Sequence, residues 1–92
     1  MVLTINQSKF AGFVLDNGGE LHAPRYFQES RLMELSKEIV LIIAKYYLSE
    51  EETQIKGTKF HELLDEAKIE FDRNAVKAVL ELQEQDYFEM SI

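Results

Sequence analysis

The chain has no cysteine, which excludes a disulfide framework, a thiolate zinc site, an iron–sulfur cluster and a cysteine nucleophile together. Long apolar runs are also missing. The longest, Ile39 to Ala44, falls far short of the roughly 20 residues that a membrane-spanning helix needs, so no span is expected. The opening Met1-Val2-Leu3-Thr4-Ile5-Asn6 lacks the basic stretch and apolar core of a secretory leader. The expectation is a complete, unprocessed cytoplasmic (intracellular) chain. Catalytic signatures are absent too: there is no G-x-S-x-G, no P-loop, no G-x-G-x-x-G and no paired-histidine motif. No enzyme activity, catalytic residue, cofactor or metal is expected. His61 and Asp65 stand four apart beside Glu62 and Glu66, but no second cluster supplies the remaining ligands of a metal site. His22 stands isolated.

Basic residues are the scarcer charge. Ten Lys and Arg face 17 Asp and Glu, a formal net charge of −7. With 92 residues, 46% hydrophobic and 29% charged, the composition is that of one globular domain over residues 1–92. A chain of this size buries only about 60–65% of its unfolded surface, so nearly every large apolar side chain is needed in the core.

Three stretches follow one another. Phe10, Phe13, Val14 and Leu15 lead into Asp16-Asn17-Gly18-Gly19, and Glu20-Leu21-His22-Ala23 leads out. Asn-Gly between apolar segments predicts a hairpin over about 9–27 with a type I′ turn, its second strand ending at Pro24, which cannot donate to a ladder. Leu32, Leu35, Ile39, Ile42, Ile43 and Tyr46 fall at helical spacing, predicting a long helix over 30–48 with Ser30 as its N-cap. Met33, Val40 and Tyr47 belong to a second apolar stripe on that helix, which predicts either a central helix or a homodimer face. Residues 49–54 are expected to be a solvated linker. Phe60, Leu63, Leu64 and Ala67 then predict a helix capped by Thr58. Asp72 sits at the N-cap of another helix with Phe71 and Val76 as a hydrophobic staple. That helix is expected to turn Val76, Val79, Leu80 and Gln83 inward, beside Ala75, Ala78 and Leu82. Residues 87–92 close the chain as a strand.

Lys59-Phe60-His61-Glu62-Leu63-Leu64 followed by Asn74-Ala75-Val76-Lys77-Ala78-Val79-Leu80-Glu81-Leu82 resembles helix 2 and the recognition helix of the winged helix-turn-helix superfold, over about residues 34–90. The fold expected is α+β: a winged-helix-like three-helix domain, with 58–86 as its helix-turn-helix, an amino-terminal hairpin and a carboxy-terminal strand. The chain departs from the superfold in having one strand after the recognition helix, so the hairpin is expected to pair with that strand. The connection Lys68-Ile69-Glu70-Phe71 also lacks the glycine often found in a helix-turn-helix turn.

The resemblance admits DNA binding, with Arg73, Asn74 and Lys77 as the residues that would contact bases and phosphates. Charge opposes it. Residues 57–92 hold four basic residues against nine acidic ones, and an acidic docking segment must overcome repulsion by the phosphates. The resemblance equally admits acidic winged-helix domains that serve protein contacts. The expected function is therefore that of a small acidic, non-catalytic regulatory or adaptor protein. It would act by protein–protein contact, with a basic or nucleic-acid-handling partner inhibited through Glu50, Glu51, Glu52, Glu81 and Glu84. Tyr26, Phe27, Tyr46 and Tyr47 are core residues by default; if the hairpin leaves Tyr26 and Phe27 exposed beside Arg25, the three would form a contact patch of interface-prone types. The alternative is a dimeric winged-helix DNA-binding transcriptional regulator.

Overall fold

Val2-Leu3-Thr4-Ile5 alternates half-buried and buried residues and forms β1 (Val2–Ile5) in the computed structural model, which describes all 92 residues. β1 is the middle strand of an antiparallel sheet in the order β4-β1-β5, where β4 is Gln54–Lys56 and β5 is Phe88–Ser91. Leu3 pairs with Ile55 on one side and Met90 on the other, and Ile5 pairs with Phe88. Leu3, Ile5, Ile55 and Phe88 are all buried, so this sheet contributes one wall of the core. Neither β1 nor β4 is predicted by the sequence pattern: β4 has only three residues, and the partners that stabilise β1 are distant in the chain.

The predicted hairpin is present but smaller, and it has a different partner. β2 (Val14–Leu15) and β3 (Leu21–His22) form a separate two-stranded sheet, which packs against the long helix. The strand that pairs with β5 is β1 rather than the hairpin. A 3₁₀ turn at Gln7–Phe10 precedes the hairpin, and a short helix, α1 (Arg25–Gln28), follows Pro24. The turn is not type I′, which needs positive φ at both Asn17 and Gly18. Gly19 N–H donates to Asp16 O (3.0 Å) and Gly19 alone has positive φ, +80°. This is a turn over Asp16–Gly19 that ends in a left-handed glycine, the three-residue hairpin loop with a glycine bulge.

The long helix, α2, spans Glu34–Glu50, four residues later at its start than predicted. Ser30 does not cap it; the Ser30 hydroxyl accepts from Leu32 N–H (3.3 Å) and Met33 occupies the N-cap position without a side-chain bond. Ile39, Val40, Ile43 and Ala44 are buried against the hairpin on one side and the later helices on the other. Most of the apolar surplus of α2 is thus internal, with Leu41 37% exposed. Val40 has 0% exposure and Tyr47 is half-buried with its ring 6.0 Å from that of Phe10, so the dimer face predicted through Met33, Val40 and Tyr47 does not exist; Met33 alone is exposed. No helix is long and apolar enough to cross a membrane.

α3 (Gly57–Glu66) starts directly from β4, with Lys56 rather than Thr58 at its N-cap. Its end explains the missing turn glycine: Lys68 takes the left-handed conformation itself (φ 59°). Ile69 N–H donates to Leu64 O (2.9 Å) and Lys68 N–H to Asp65 O (3.0 Å), the paired bonds of a Schellman motif. α4 (Arg73–Glu84) starts at Asp72 as predicted, the carboxylate accepting from Ala75 N–H at 3.1 Å. It ends in the same motif, with Asp86 left-handed (φ 66°), Tyr87 N–H on Leu82 O (3.0 Å) and Asp86 N–H on Gln83 O (3.1 Å).

Candidate functional site

The exposed surface offers three concentrations of functional groups, and α4 carries the most unusual one. Its inward side is Ala75, Ala78, Val79 and Leu82, packed on α2 and β5. The small side chains of Ala75 and Ala78 let α2 approach closely at Ser36. The Ser36 hydroxyl, the one buried polar side chain, donates to Glu81 Oε1 (2.6 Å) and lies 3.4 Å from Ala78 O. The same Glu81 oxygen accepts from Met33 N–H (3.1 Å), supplying from α4 the cap that α2 lacks.

This rotation corrects the predicted inward face. Val76 is 40% exposed and Leu80 50%, and Gln83 is exposed as well. The outer face therefore presents Arg73, Val76, Lys77, Leu80 and Glu84, with Asn74 exposed on its flank. Phe71, 41% exposed, stands just before the helix with its ring 4.6 Å from the imidazole of His61. Two branched aliphatics one turn apart on a solvent face are neighbours on the helix surface.

The predicted partner residues do not form one surface. Glu81 is turned inward by its bonds to Ser36 and Met33 and is only half exposed. Glu50 ends α2, and Glu51, left-handed (φ 55°), donates its N–H to Tyr47 O (2.9 Å). Glu50, Glu51 and Glu52 are exposed, but they lie about 21 Å of helix rise beyond the Ser36–Glu81 contact. Glu84 is exposed near the end of α4. Phe27 is core, 2% exposed with its ring 5.2 Å from Phe13, which leaves Arg25 and Tyr26 at the surface. Arg25 pairs with Glu29 (3.5 Å) and Tyr26 OH donates to Lys9 O (3.2 Å). Arg73, Asn74 and Lys77 are exposed together in the first half of α4.

Elsewhere, a groove of about 420 Å³ between α2 and α3 is lined by Ile42, Tyr46, Leu63, Lys45, Lys59 and Glu66 among others. Lys59 closes one side of it, 5.8 Å above the Tyr46 ring and 3.7 Å from Glu62. The groove is open and its polar groups do not converge on one point.

His22 is not isolated. Its Nε2 is 2.9 Å from Asp16 Oδ2, while Asp16 Oδ1 accepts from Gly18 N–H and Glu20 N–H, each at 2.9 Å. Asp16, Glu20 and His22 each place one ligand-type atom within 4.8 Å of the others. All three are exposed, and the Asp16 oxygens are already engaged in closing the turn. The Asp16 carboxyl is held below its ordinary value of 3.8, first by the His22 bond and then by the backbone N–H of Glu20 and Gly18. His22 is raised above 6.5, chiefly by the same bond. The histidine's share of hairpin stability is full below pH 6.5 and lost as pH rises through its raised pKa; the aspartate's is present above 3.8 and lost as pH falls through its lowered one. The latch therefore closes best in the mildly acidic window between them. In an NMR titration, the His22 ring of the wild type is expected to show a midpoint above 6.5 that returns toward 6.5 in Asp16→Asn. Equal midpoints would mean that the bond does not form in solution.

Comparison with family models, with characterised proteins and with solved structures gives no match. The function is therefore read from the chain's own surface. The residues that sequence reasoning missed are Val76 and Leu80. The signal that could have placed them is Ser36: a hydroxyl in the buried stripe of α2 needs an acceptor, and Glu81 can reach it only if α4 turns Ala75 and Ala78 inward.

Proposed function

We propose that the chain is a non-catalytic regulatory or adaptor protein that acts by protein–protein contact, and that the outer face of α4 makes the contact. The observation that carries this reading is the exposure of Val76 and Leu80 on a helix whose other large aliphatics are sealed in the core. A domain of 92 residues has little apolar surface to spare, and aliphatics grouped on a solvent face, rimmed by charged groups, are the pattern of a binding surface. The order α2, β4, α3, α4, β5 resembles the winged-helix plan, and on that reading α4 would stand in the place of the recognition helix. The face offered there has an apolar middle and ends in Glu84. Phosphates favour neither.

A second reading, DNA binding, draws support from Arg73, Asn74 and Lys77, which are all exposed near the start of α4. Fluorescence anisotropy of a random-sequence duplex, titrated at low salt, separates the two. The expected result is no rise up to tens of micromolar protein. Binding that weakens steeply as salt is added would overturn the protein-contact reading, since salt-dependent affinity for any duplex is the mark of phosphate neutralisation.

A further inference from the structure

Arg73, Lys77, Leu80 and Glu84 are spaced by four, three and four residues, which places them in a single seam along α4 of the kind that packs helix on helix. Along this seam charge changes sign. The first turns are basic, the middle is apolar through Leu80 with Val76 beside it, and the end is acidic. Turned end for end, the seam is complementary to itself: Arg73 stands opposite Glu84, and Lys77 opposite Leu80, about the same midpoint between Ala78 and Val79. A contact in which the same patch serves on both partners is the isologous interface of a two-fold dimer.

We infer that the occupant of this face is a second copy of the chain, with α4 packed antiparallel on α4. The inference rests on the reading of this face as a protein contact and names its partner. Two Arg73–Glu84 pairs, separated by about 16 Å of helix rise on each copy, close the two ends. Toward the middle each Val76 stands opposite Glu81, whose carboxylate is held by Ser36 and Met33 of its own copy, and the aliphatic stem of each Lys77 lies along the opposing Leu80 while its ammonium reaches solvent. A uniformly acidic partner would meet Glu84 with the wrong sign, and a uniformly basic one would meet Arg73 and Lys77. A partner must alternate as this helix does. One helix pair covers less area than the roughly 1,200–2,000 Å² of a stable complex, so the dimer is weak, and its end pairs are screened by salt.

Sedimentation equilibrium from about 5 to 500 µM tests this directly. The wild type is expected to pass from monomer to dimer over that range. Arg73→Glu and Glu84→Arg each set two pairs of like charges against one another and are expected to weaken association at least about tenfold. The double variant R73E/E84R restores complementarity, and its affinity is expected to return to within about threefold of wild type. An equimolar mixture of the two single variants is expected to associate although neither does alone. Both substituted side chains are in solvent, and unchanged circular dichroism confirms that each variant is folded. A wild type that stays monomeric throughout, or a dimer indifferent to both single substitutions, overturns the α4 pairing. Either result leaves the protein-contact reading standing, because that reading fails on duplex binding instead.

Discussion

Phe10→Ala is expected to lower the free energy of unfolding by about 3–5 kcal/mol, the usual range for removing a buried aromatic ring. The ring is 1% exposed, at the end of the 3₁₀ turn that leaves β1. Around it stand Phe13 at 5.5 Å, Tyr47 at 6.0 Å and Tyr87 at 5.9 Å, the last edge-on. These rings come from the approach to β2, the last turns of α2 and the residue before β5. Phe10 thus ties together the N-terminal segment, the central helix and the sheet, and an alanine leaves a cavity bordered by all three. Rigid rings cannot collapse far into such a space, which puts the cost toward the upper part of the range. Domains of this size are stable by only about 5–15 kcal/mol, so the variant should be marginal at 25 °C. Urea unfolding followed by circular dichroism measures the loss. A loss under about 1 kcal/mol would mean that the cluster repacks and that these segments are less interdependent than the geometry implies.

The same cluster shows what could be read before the structure and what could not. Phe10 and Phe13 were legible as apolar residues leading into a turn, and the apolar positions of α2 were legible at helical spacing. Asp72 was legible as a cap because its signal is local. β1 and β4 were hidden because each is stabilised by a partner distant in the chain: Leu3 has meaning only opposite Ile55 and Met90. Phe27 reads as core by type and as part of a contact patch with Arg25 and Tyr26 only where the hairpin leaves it exposed, and a four-residue helix turns it to the core. At the candidate site, the polar residues Arg73, Asn74 and Lys77 were legible by type. The apolar half was not. α4 has two candidate inward stripes, and bulk favours Val76 and Leu80, whereas close helix approach favours Ala75 and Ala78. That choice is made by a contact between residues far apart in sequence, which no local period records.

That contact makes the second large prediction. Glu81→Ala is expected to destabilise the fold by about 2–3 kcal/mol, combining the loss of a charge-assisted hydrogen bond with the loss of a helix cap. One carboxylate oxygen serves both Ser36 Oγ at 2.6 Å and Met33 N–H at 3.1 Å. The Met33 side chain makes no capping bond, so the first donor of α2 is left to solvent when Glu81 is removed. Negative charge at a helix N-terminus also opposes the positive end of the helix dipole. Glu81→Gln keeps an acceptor and gives up the charge, and is expected to cost about 1 kcal/mol, less than the alanine. Ser36→Ala removes the donor and is expected to cost about 1 kcal/mol, because the Glu81 carboxylate loses the hydroxyl that donates to it. A double-mutant cycle decides whether the two act as a unit. With both removed, the loss is expected to fall short of the sum by about 1 kcal/mol, since the shared bond can be broken only once. Additivity within about 0.5 kcal/mol would show that Glu81 acts through Met33 alone. Coupling would identify the Ser36–Glu81 bond as the contact that sets the rotation of α4, and with it the outward position of Val76 and Leu80.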